Sequence, residues 1–509
     1  MHQPFYREGL EGPFRLPWVY LHGLKDYSDM ATHLEQHPGM RAVVDFAPIL
    51  LEQIEIYVSQ LSAWLKEGAP LADPMLNLLA GVTPIPGDIE GRRGLIDACR
   101  RCNPATMIEP YPAFRNMLHW AGSKDQDEIS ADRHTIPLDY LADSYFVDLV
   151  VWHHLVWAGH SLRHHPVVQH LMEKQGGYGM DDRRGMMELI HHCLAGIIPR
   201  YRALAERGQI ELAMTPYAHP IIPLLNDFAN MRCALPQAPA PEPEAYPGGI
   251  DRSRWHMQHG MEVFERCFGA RPRGVWLSEG GVSADALEVL EEYDVEWTAS
   301  GEGVWNNCCR PSLIDDQAHD GSSEQLRRNL FKPHRYRDGN TRLFFRDDGL
   351  SDMIGFEYQH WSAEDAARNF AQNLENIGDF LGDTAEQHVV SIILDGENAW
   401  EHYPDNGHHF LQALYHELSS NPNIRLSTFS EISAQLEANR FAEICPGSWI
   451  YGSFSTWIGE KDKNSAWEAL VEAKQVYDTV LGEGMLSTEE SDQATAQLAI
   501  CESSDWFWW

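Results

Sequence analysis

Two hydrophobic periodicities alternate along the chain. Apolar residues spaced three and four positions apart predict amphipathic helices over five segments: 49–65, 185–206, 254–267, 364–381 and 464–480. Short runs rich in β-branched and aromatic residues predict strands between and after them: 42–46, 210–214, 274–277, 342–345, 389–394 and 424–427. Strands that alternate with helices favour an α/β fold, in which a parallel sheet or barrel is covered by helices.

Two features interrupt this alternation. Residues 235–248 are rich in Pro and Ala, which predicts an irregular excursion that interrupts the barrel without dividing it. The strand signals fade after residue 432, so a mainly helical second domain is expected over 433–509, after a catalytic domain over 1–432. A chain of 509 residues is long enough for one large domain and one smaller domain.

The charge and the cysteines restrict the partners and the compartment. The chain carries 39 Lys and Arg against 75 Asp and Glu, a net charge of −36, and such a surface repels nucleic acid but not a neutral substrate. No segment approaches the roughly 18 apolar residues of a membrane span, and no leader opens the chain. Nine scattered cysteines predict free thiols in a reducing compartment. A cytoplasmic protein that binds neither membrane nor nucleic acid is therefore expected.

Two acidic residues stand where predicted strands end. Glu279 follows the apolar run 274–277 and precedes two glycines, and Asp395 follows the run 389–394 and precedes Gly396. Because the carboxyl ends of barrel strands meet at one face, the two carboxylates are expected to face each other. Glu397 competes with Asp395 for this place, but Asp395 is nearer the strand end.

A facing pair of carboxylates suits the cleavage of a glycosidic bond with retention. One ionised carboxylate attacks the anomeric carbon and one protonated carboxyl donates to the leaving oxygen, with the groups about 5–5.5 Å apart. Their environments must push the two pKa values in opposite directions, and Trp276 and Trp400 are candidates for the apolar side of that environment.

Five segments in order resemble the characteristic regions of glycoside hydrolase family 57, the α-amylase-like and 4-α-glucanotransferase family. They are His2-Gln3-Pro4 with Leu21-His-Gly-Leu-Lys-Asp-Tyr27, Gly208-Gln-Ile-Glu211-Leu with Thr215-Pro-Tyr-Ala-His219-Pro, Trp276-Leu-Ser-Glu279, Leu394-Asp395-Gly-Glu-Asn-Ala-Trp400, and Ser503-Ser-Asp505-Trp506. The resemblance is spread over nearly the whole chain.

The resemblance implies an incomplete (β/α)7 barrel followed by a mainly helical C-terminal domain that completes the cleft. It implies α-glucan or maltooligosaccharide substrates and a double displacement that needs no metal and no cofactor, with Glu279 as nucleophile and Asp395 as general acid/base. The residues it implies for substrate binding are His2, His219, Trp276, Trp400, Asp505 and Trp506.

The chain departs from the family pattern at both ends. Family members carry a β-strand before the HQP segment, whereas this chain begins at Met1, and relatives continue into another helix where this chain stops at Trp509. We therefore expect the family's first strand and its C-terminal end to be missing.

Several alternatives remain beside α-amylase-type hydrolysis, our first choice. A 4-α-glucanotransferase or branching enzyme shares the same intermediate, and a non-catalytic glucan-binding protein belongs to another class. Zinc-dependent deacetylases carry fragments similar to His160-Ser-Leu-Arg-His164 and Phe345-Arg-Asp-Asp-Gly349, but in the reverse order. Zinc α-mannosidases require an Asp ligand two residues after the first His, where Pro4 stands here.

Overall fold

The computed structural model of the chain describes residues 1–122, 136–309, 323–397 and 399–508. Strands are β1 Ala42–Phe46, β2 Ile210–Met214, β3 Trp297–Ser300, β4 His334–Tyr336, β5 Arg342–Phe345 and β6 Asn439–Phe441. The α-helices are α1 Trp18–His22, α2 Ser28–Gln36, α3 Pro48–Glu67, α4 Pro74–Ala80, α5 Ile89–Cys99, α6 Pro112–Trp120, α7 Asp143–Val156, α8 His160–Arg163, α9 Pro166–Lys174, α10 Met180–Glu206, α11 Ile222–Asn226, α12 Gly249–Phe268, α13 Ala284–Glu292, α14 Glu302–Cys308, α15 Ser323–Leu330, α16 Asp348–Asp352, α17 Ala363–Leu381, α18 His408–Ser420, α19 Phe429–Gln435, α20 Lys461–Gly482 and α21 Thr488–Cys501.

Shorter helical turns of the 3₁₀ or π type join these elements. The π turns are Gly23–Tyr27, Pro104–Ile108 and Met353–Glu357. The 3₁₀ turns are Leu138–Tyr140, Phe228–Arg232, Ser278–Gly280, Tyr358–His360, Gly382–Gln387, Trp400–His402, Pro404–Gly407 and Asp505–Trp508.

Parallel neighbours follow one another in chain order. Strand β1 pairs with β2 and β3 pairs with β5, both in parallel. Single parallel bridges extend this order, joining Met214 to Val275, Gly274 to Trp297 and Arg346 to Ser391. Strand β4 pairs antiparallel with β5 and parallel with β6. Parallel strands direct their carboxyl ends to the same edge of the sheet. The residues that directly follow these strands are therefore brought together at that edge. The α/β class is confirmed.

The sequence predicted the long helices better than the strands. All five predicted helices are confirmed, and each is one to six residues longer than its apolar pattern. Strands at 42–46, 210–214 and 342–345 are confirmed. The runs 274–277 and 389–394 are extended but join their neighbours only through single bridges, and the strand predicted at 424–427 is wrong. Strands β3, β4 and β6 were not predicted.

The C-terminal part is less uniformly helical than its pattern suggested. Strand β6 and an irregular segment over 442–460 precede α20 and α21, so the expected loss of strands after residue 432 is wrong for β6. The excursion over 235–248 is irregular as predicted. A buried cluster joins the two regions, since Phe228 and Met231 pack with Phe454, Trp457 and Trp467. The C-terminal part therefore packs on the base of the excursion.

A disulfide bridge joins the same two regions. Cys233 and Cys445 are bonded across a separation of 212 residues, so the expectation that all nine cysteines are free is wrong for this pair. The other seven cysteines are free. The cytoplasmic location rested partly on free thiols and stays a prediction. Within the described ranges, none of the helices combines the length and the apolar content needed to cross a bilayer.

Candidate active site

Glu279 lies in a tight turn directly after the extended run 274–277. Its backbone is left-handed (φ 56°, ψ 26°), and Gly280 follows at φ 57°. A non-glycine residue in this region is strained, and such strain is concentrated at functional positions. Only 6% of the residue is exposed. The surrounding fold therefore stabilises a strained backbone conformation that places a buried carboxyl group at this point.

The charge of Glu279 depends on its neighbours. Burial raises the pKa of Glu279 to about 7, and while the cation of His2 lowers it, the charge of Asp395 raises it. The indole Nε1 of Trp449 donates a hydrogen bond to Oε2 of Glu279 at 2.9 Å, which lowers the pKa. Glu279 is therefore poised between its neutral and ionised forms near neutral pH.

Asp395 lies in the same electrostatic cluster as Glu279. It stands at the end of the extended run that Ser391 joins to Arg346, and the residue is half-buried. Its carboxylate raises the pKa values of both Glu279 and His2, so the three side chains share one site. Residues separated by more than 100 positions thus influence one another electrostatically, and whether Glu279 and Asp395 face each other as a catalytic pair stays a prediction.

Glu397 fills a different position from Asp395. It is only 2% exposed, and its Oε1 accepts hydrogen bonds from the backbone N–H of His2 at 3.0 Å and from the hydroxyl of Tyr27 at 2.9 Å. Both hydrogen bonds come from protein groups, and the one from His2 ties the first residues of the chain to Glu397. Of the two competing acids, Asp395 is therefore the more accessible to a substrate.

His2, His219 and Asp505 form a compact group beside the carboxylates. The two imidazole rings stack with centroids 4.1 Å apart and planes within 3°. His2 Nε2 lies 3.4 Å from Asp505 Oδ1, and Nδ1 of His219 lies 2.7 Å from Oγ of Ser504. Residues from the two ends of the chain and from the segment after β2 are thereby brought together.

The two histidines differ in charge at neutral pH, because the pKa of His2 is raised and that of His219 is lowered. Burial lowers the pKa of His2, but the hydrogen bond and charge of Asp505, with the charges of Asp395 and Glu397, more than offset it and raise the pKa to about 10. Burial and the adjacent His2 lower the pKa of His219 to about 3. At neutral pH a charged imidazolium therefore stacks on a neutral imidazole, and both present ring nitrogens for hydrogen bonding.

The same three residues have donor atoms close enough to suggest a metal. Ligand atoms of His2, His219 and Asp505 lie within 4.8 Å of one another, and the described residues contain no other such group. A histidine binds a metal in the plane of its ring, and two nearly parallel ring planes do not converge on one ion. The arrangement therefore fits hydrogen bonding better than metal binding. His160, His164 and Asp347 belong to no such group among the described residues, so the deacetylase reading gains no support.

The predicted aromatic residues differ in accessibility. Trp276 is half-buried and meets Trp449 edge to face at 5.2 Å. Trp400 is only 4% exposed and its Nε1 donates to the carbonyl of Gly396, so it supports the turn after Asp395 and offers no open ring face. Trp506 is 36% exposed and stacks on Phe507 at 3.8 Å. Trp276 and Trp506 therefore remain the candidates for contact with a sugar.

Sequence reasoning missed Trp449. It lies in the irregular segment 442–460, 170 residues from Glu279, and no periodicity marks it. The available signal was the Gly- and Ser-rich run Gly447-Ser-Trp-Ile-Tyr-Gly452, which is typical of a loop with closely packed backbone.

The cleavage of a glycosidic bond requires two carboxyl groups with different pKa values, and the acids at the strand ends of this α/β fold are compatible with that requirement. The sequence profile described as Glycosyl hydrolase family 57 matches residues 1–445. The chain therefore belongs to glycosyl hydrolase family 57.

Comparison with solved structures agrees on the fold. The GH57-type branching enzyme of Pyrococcus horikoshii superposes with a TM-score of 0.59 at 15% identity, covering 100% of this chain and 83% of that one. The GH57 branching enzyme of Thermococcus kodakaraensis gives 0.56 at 15% identity, covering 100% and 84%. The α-amylase AmyC of Thermotoga maritima gives 0.55 at 12% identity, covering 99% and 86%. No curated protein matches this chain in sequence.

Proposed function

We propose that this protein is a retaining glycosidase of α-linked glucans, with Glu279 as the nucleophile and Asp395 as the general acid/base. The observation that carries the proposal is the charge interaction of the buried Glu279 with Asp395 and His2. Asp395 raises the pKa of Glu279, whereas the cation of His2 and the indole of Trp449 lower it toward the ionised form that a nucleophile needs. Similarity in fold to a branching enzyme and an α-amylase supports the substrate class. α-Amylase-type hydrolysis is the first choice.

The first step forms a glycosyl-enzyme ester. The ionised carboxylate of Glu279 attacks the anomeric carbon while the bond to the leaving oxygen breaks, and that oxygen takes the proton of Asp395. In the second step a water or sugar hydroxyl attacks the same carbon and gives its proton to Asp395. The bonding electrons return to Glu279, so both carboxyl groups end in their starting states.

The remaining side chains bind and orient the sugar. The imidazolium of His2 donates to a hydroxyl and lowers the pKa of Glu279, which keeps more of the nucleophile ionised. His219 and Asp505 hold His2 in place through the ring stack and the ion pair. Trp276 and Trp506 supply ring faces along the cleft.

The finer architecture belongs to the same proposal. We infer an incomplete (β/α)7 barrel over residues 1–432 and a second domain over 433–509. The parallel pairing in chain order supports the barrel. The packing of Trp457 and Trp467 on the excursion, with Asp505 beside His2, supports a C-terminal domain that completes the cleft.

Incubation with maltoheptaose tests the function. Shorter products alone indicate hydrolysis, and longer products indicate glucan transfer. We expect Glu279→Gln to lower kcat by at least ~10³-fold, because the nucleophile is removed while its shape is kept. Glucan binding without turnover by the unaltered protein would contradict the proposal and favour a binding protein.

Asp395→Asn separates the two roles. This variant should be impaired most on maltoheptaose and least on an aryl glycoside, whose phenolate leaves without a proton. Equal loss on both substrates would count against Asp395 as the acid, without affecting the role of Glu279.

A further inference from the structure

Trp449 contacts Glu279 through two separate hydrogen bonds. Its backbone N–H donates to the carbonyl of Glu279 at 3.1 Å, and its indole Nε1 donates to Oε2 at 2.9 Å. The first bond fixes the strained turn and the second fixes the carboxylate. One residue thus restrains both the backbone and the side chain of the proposed nucleophile.

Trp449 is itself held rigidly from two sides. Its indole meets Trp276 edge to face, and the guanidinium of Arg346 lies over the ring at 4.8 Å. Arg346 also donates to the carbonyl of Ile393 at 3.0 Å, two residues before Asp395. The position of Trp449 is therefore coupled to the segment that carries the proposed acid/base.

Glycines allow the backbone of this segment to approach the site. A Cβ on Gly301 would lie 2.6 Å from Cα of Trp449, and a Cβ on Gly452 would lie 2.7 Å from the carbonyl carbon of Gly303. Contacts this close admit no side chain, so the segment packs backbone against backbone there. Such packing leaves the indole little freedom to leave the carboxylate.

We propose that Trp449 is a positioning residue that holds Oε2 of Glu279, so that Oε1 is the oxygen that bonds to the anomeric carbon. The inference rests on the proposed function of Glu279. In the ester, Oε2 becomes the carbonyl oxygen, and when the ester breaks it regains negative charge. The indole N–H faces Oε2 throughout and binds the charged form more strongly, so it favours the ionised nucleophile and its departure in the second step.

A kinetic comparison of two tryptophan variants tests this role. Trp449→Phe removes the N–H and keeps an aromatic ring. We expect kcat at pH 7 to fall roughly tenfold to a hundredfold, and the acidic limb of the rate profile to move to higher pH. The matched control is Trp457→Phe in the same segment, because the buried indole N–H of Trp457 has no hydrogen-bond partner among the described residues. The acidic limb of the pH–rate profile of Trp457→Phe should coincide with that of the wild type.

A spectroscopic reading does not require turnover. In protein labelled with ¹⁵N-tryptophan, one indole N–H resonance should shift with pH as Glu279 ionises, and the shift should vanish in Glu279→Gln. A titration that survives in Glu279→Gln, or an unmoved acidic limb with full kcat in Trp449→Phe, would overturn the positioning role. An active Glu279→Gln variant would instead overturn the proposed function.

Discussion

At the scale of single residues, the site is a balance of burial against charge. Glu279 is buried enough to favour its neutral form, while the indole of Trp449 and the cation of His2 favour the ionised form. His2 keeps its proton because Asp505 and the neighbouring acids outweigh burial. The same interactions that tune reactivity therefore tune stability, because a pKa that differs between the folded and unfolded states makes folding depend on pH.

Glu279→Gln should stabilise the protein at pH 8 but not at pH 4.5. The folded pKa of Glu279, about 7, lies above its ordinary value of 4.5, so the folded state loses stability as pH rises between these values. A neutral Gln removes that loss, which is at most about 3 kcal/mol. Thermal unfolding of both proteins at both pH values measures it. An equal Tm difference at pH 4.5 and pH 8 would refute the assignment of the raised pKa.

At the scale of elements, the sequence revealed regular segments and missed contacts made by irregular ones. Strands β1 and β2 were predictable because a run of apolar residues stands between turn signals. Strand β3 (Trp297–Ser300) was not, because Thr and Ser occupy half of its fully buried positions. Glu279 and Asp395 could be proposed as a pair because the ends of parallel strands converge, a rule that local sequence is enough to apply. Trp449 depends on how a loop folds back over 170 residues, and local pattern does not contain that.

A buried anchor joins helix α12 to the segment after α21. The carboxylate of Glu502 accepts two hydrogen bonds from Arg252 Nε and one from its Nη2, together with those from His256 and Tyr246. Burial raises the pKa of Glu502, but His256 and Arg252 outweigh it and lower the value to about 2. Asp505 lies three residues further on, so this anchor fixes the group that holds His2.

Glu502→Gln should destabilise the protein at neutral pH and weaken substrate binding. Removing one partner of a buried ion pair costs about 3 kcal/mol. Because the folded pKa is depressed, this stability is present above about pH 4.5 and is lost as pH falls toward 2, so the Tm difference from wild type should narrow in acid. KM should rise as Asp505 shifts.

The control for this anchor lies on the same helix. Arg254→Ala breaks an exposed pair with Glu292 and should leave Tm and KM nearly unchanged. If Glu502→Gln behaves like Arg254→Ala, the anchor does not hold the C-terminal segment.

At the scale of the whole molecule, the site is assembled from parts distant in the chain. The proposed site residues His2, Glu279, Asp395 and Asp505 span almost its full length, so the proposed activity requires the C-terminal segments to stay on the rest of the fold. Besides the anchor at Glu502, two further features hold them there: the apolar cluster around Trp457 and Trp467 and the bridge between Cys233 and Cys445.

Opening that bridge should lower both stability and turnover. Cys233→Ser releases a loop of 212 residues and should cost about 2–5 kcal/mol, because the unfolded chain regains freedom that the cross-link had removed. Turnover should fall as well, since Cys445 stands four residues before Trp449, which donates a hydrogen bond to Glu279.

Thermal unfolding with and without dithiothreitol measures the loss of stability. The reductant should lower the Tm of the wild type and of Cys501→Ser, which loses only an exposed free thiol, but not that of Cys233→Ser. If neither dithiothreitol nor Cys233→Ser changed Tm and activity, the apolar cluster and the Glu502 anchor would hold the C-terminal segments in place without the bridge.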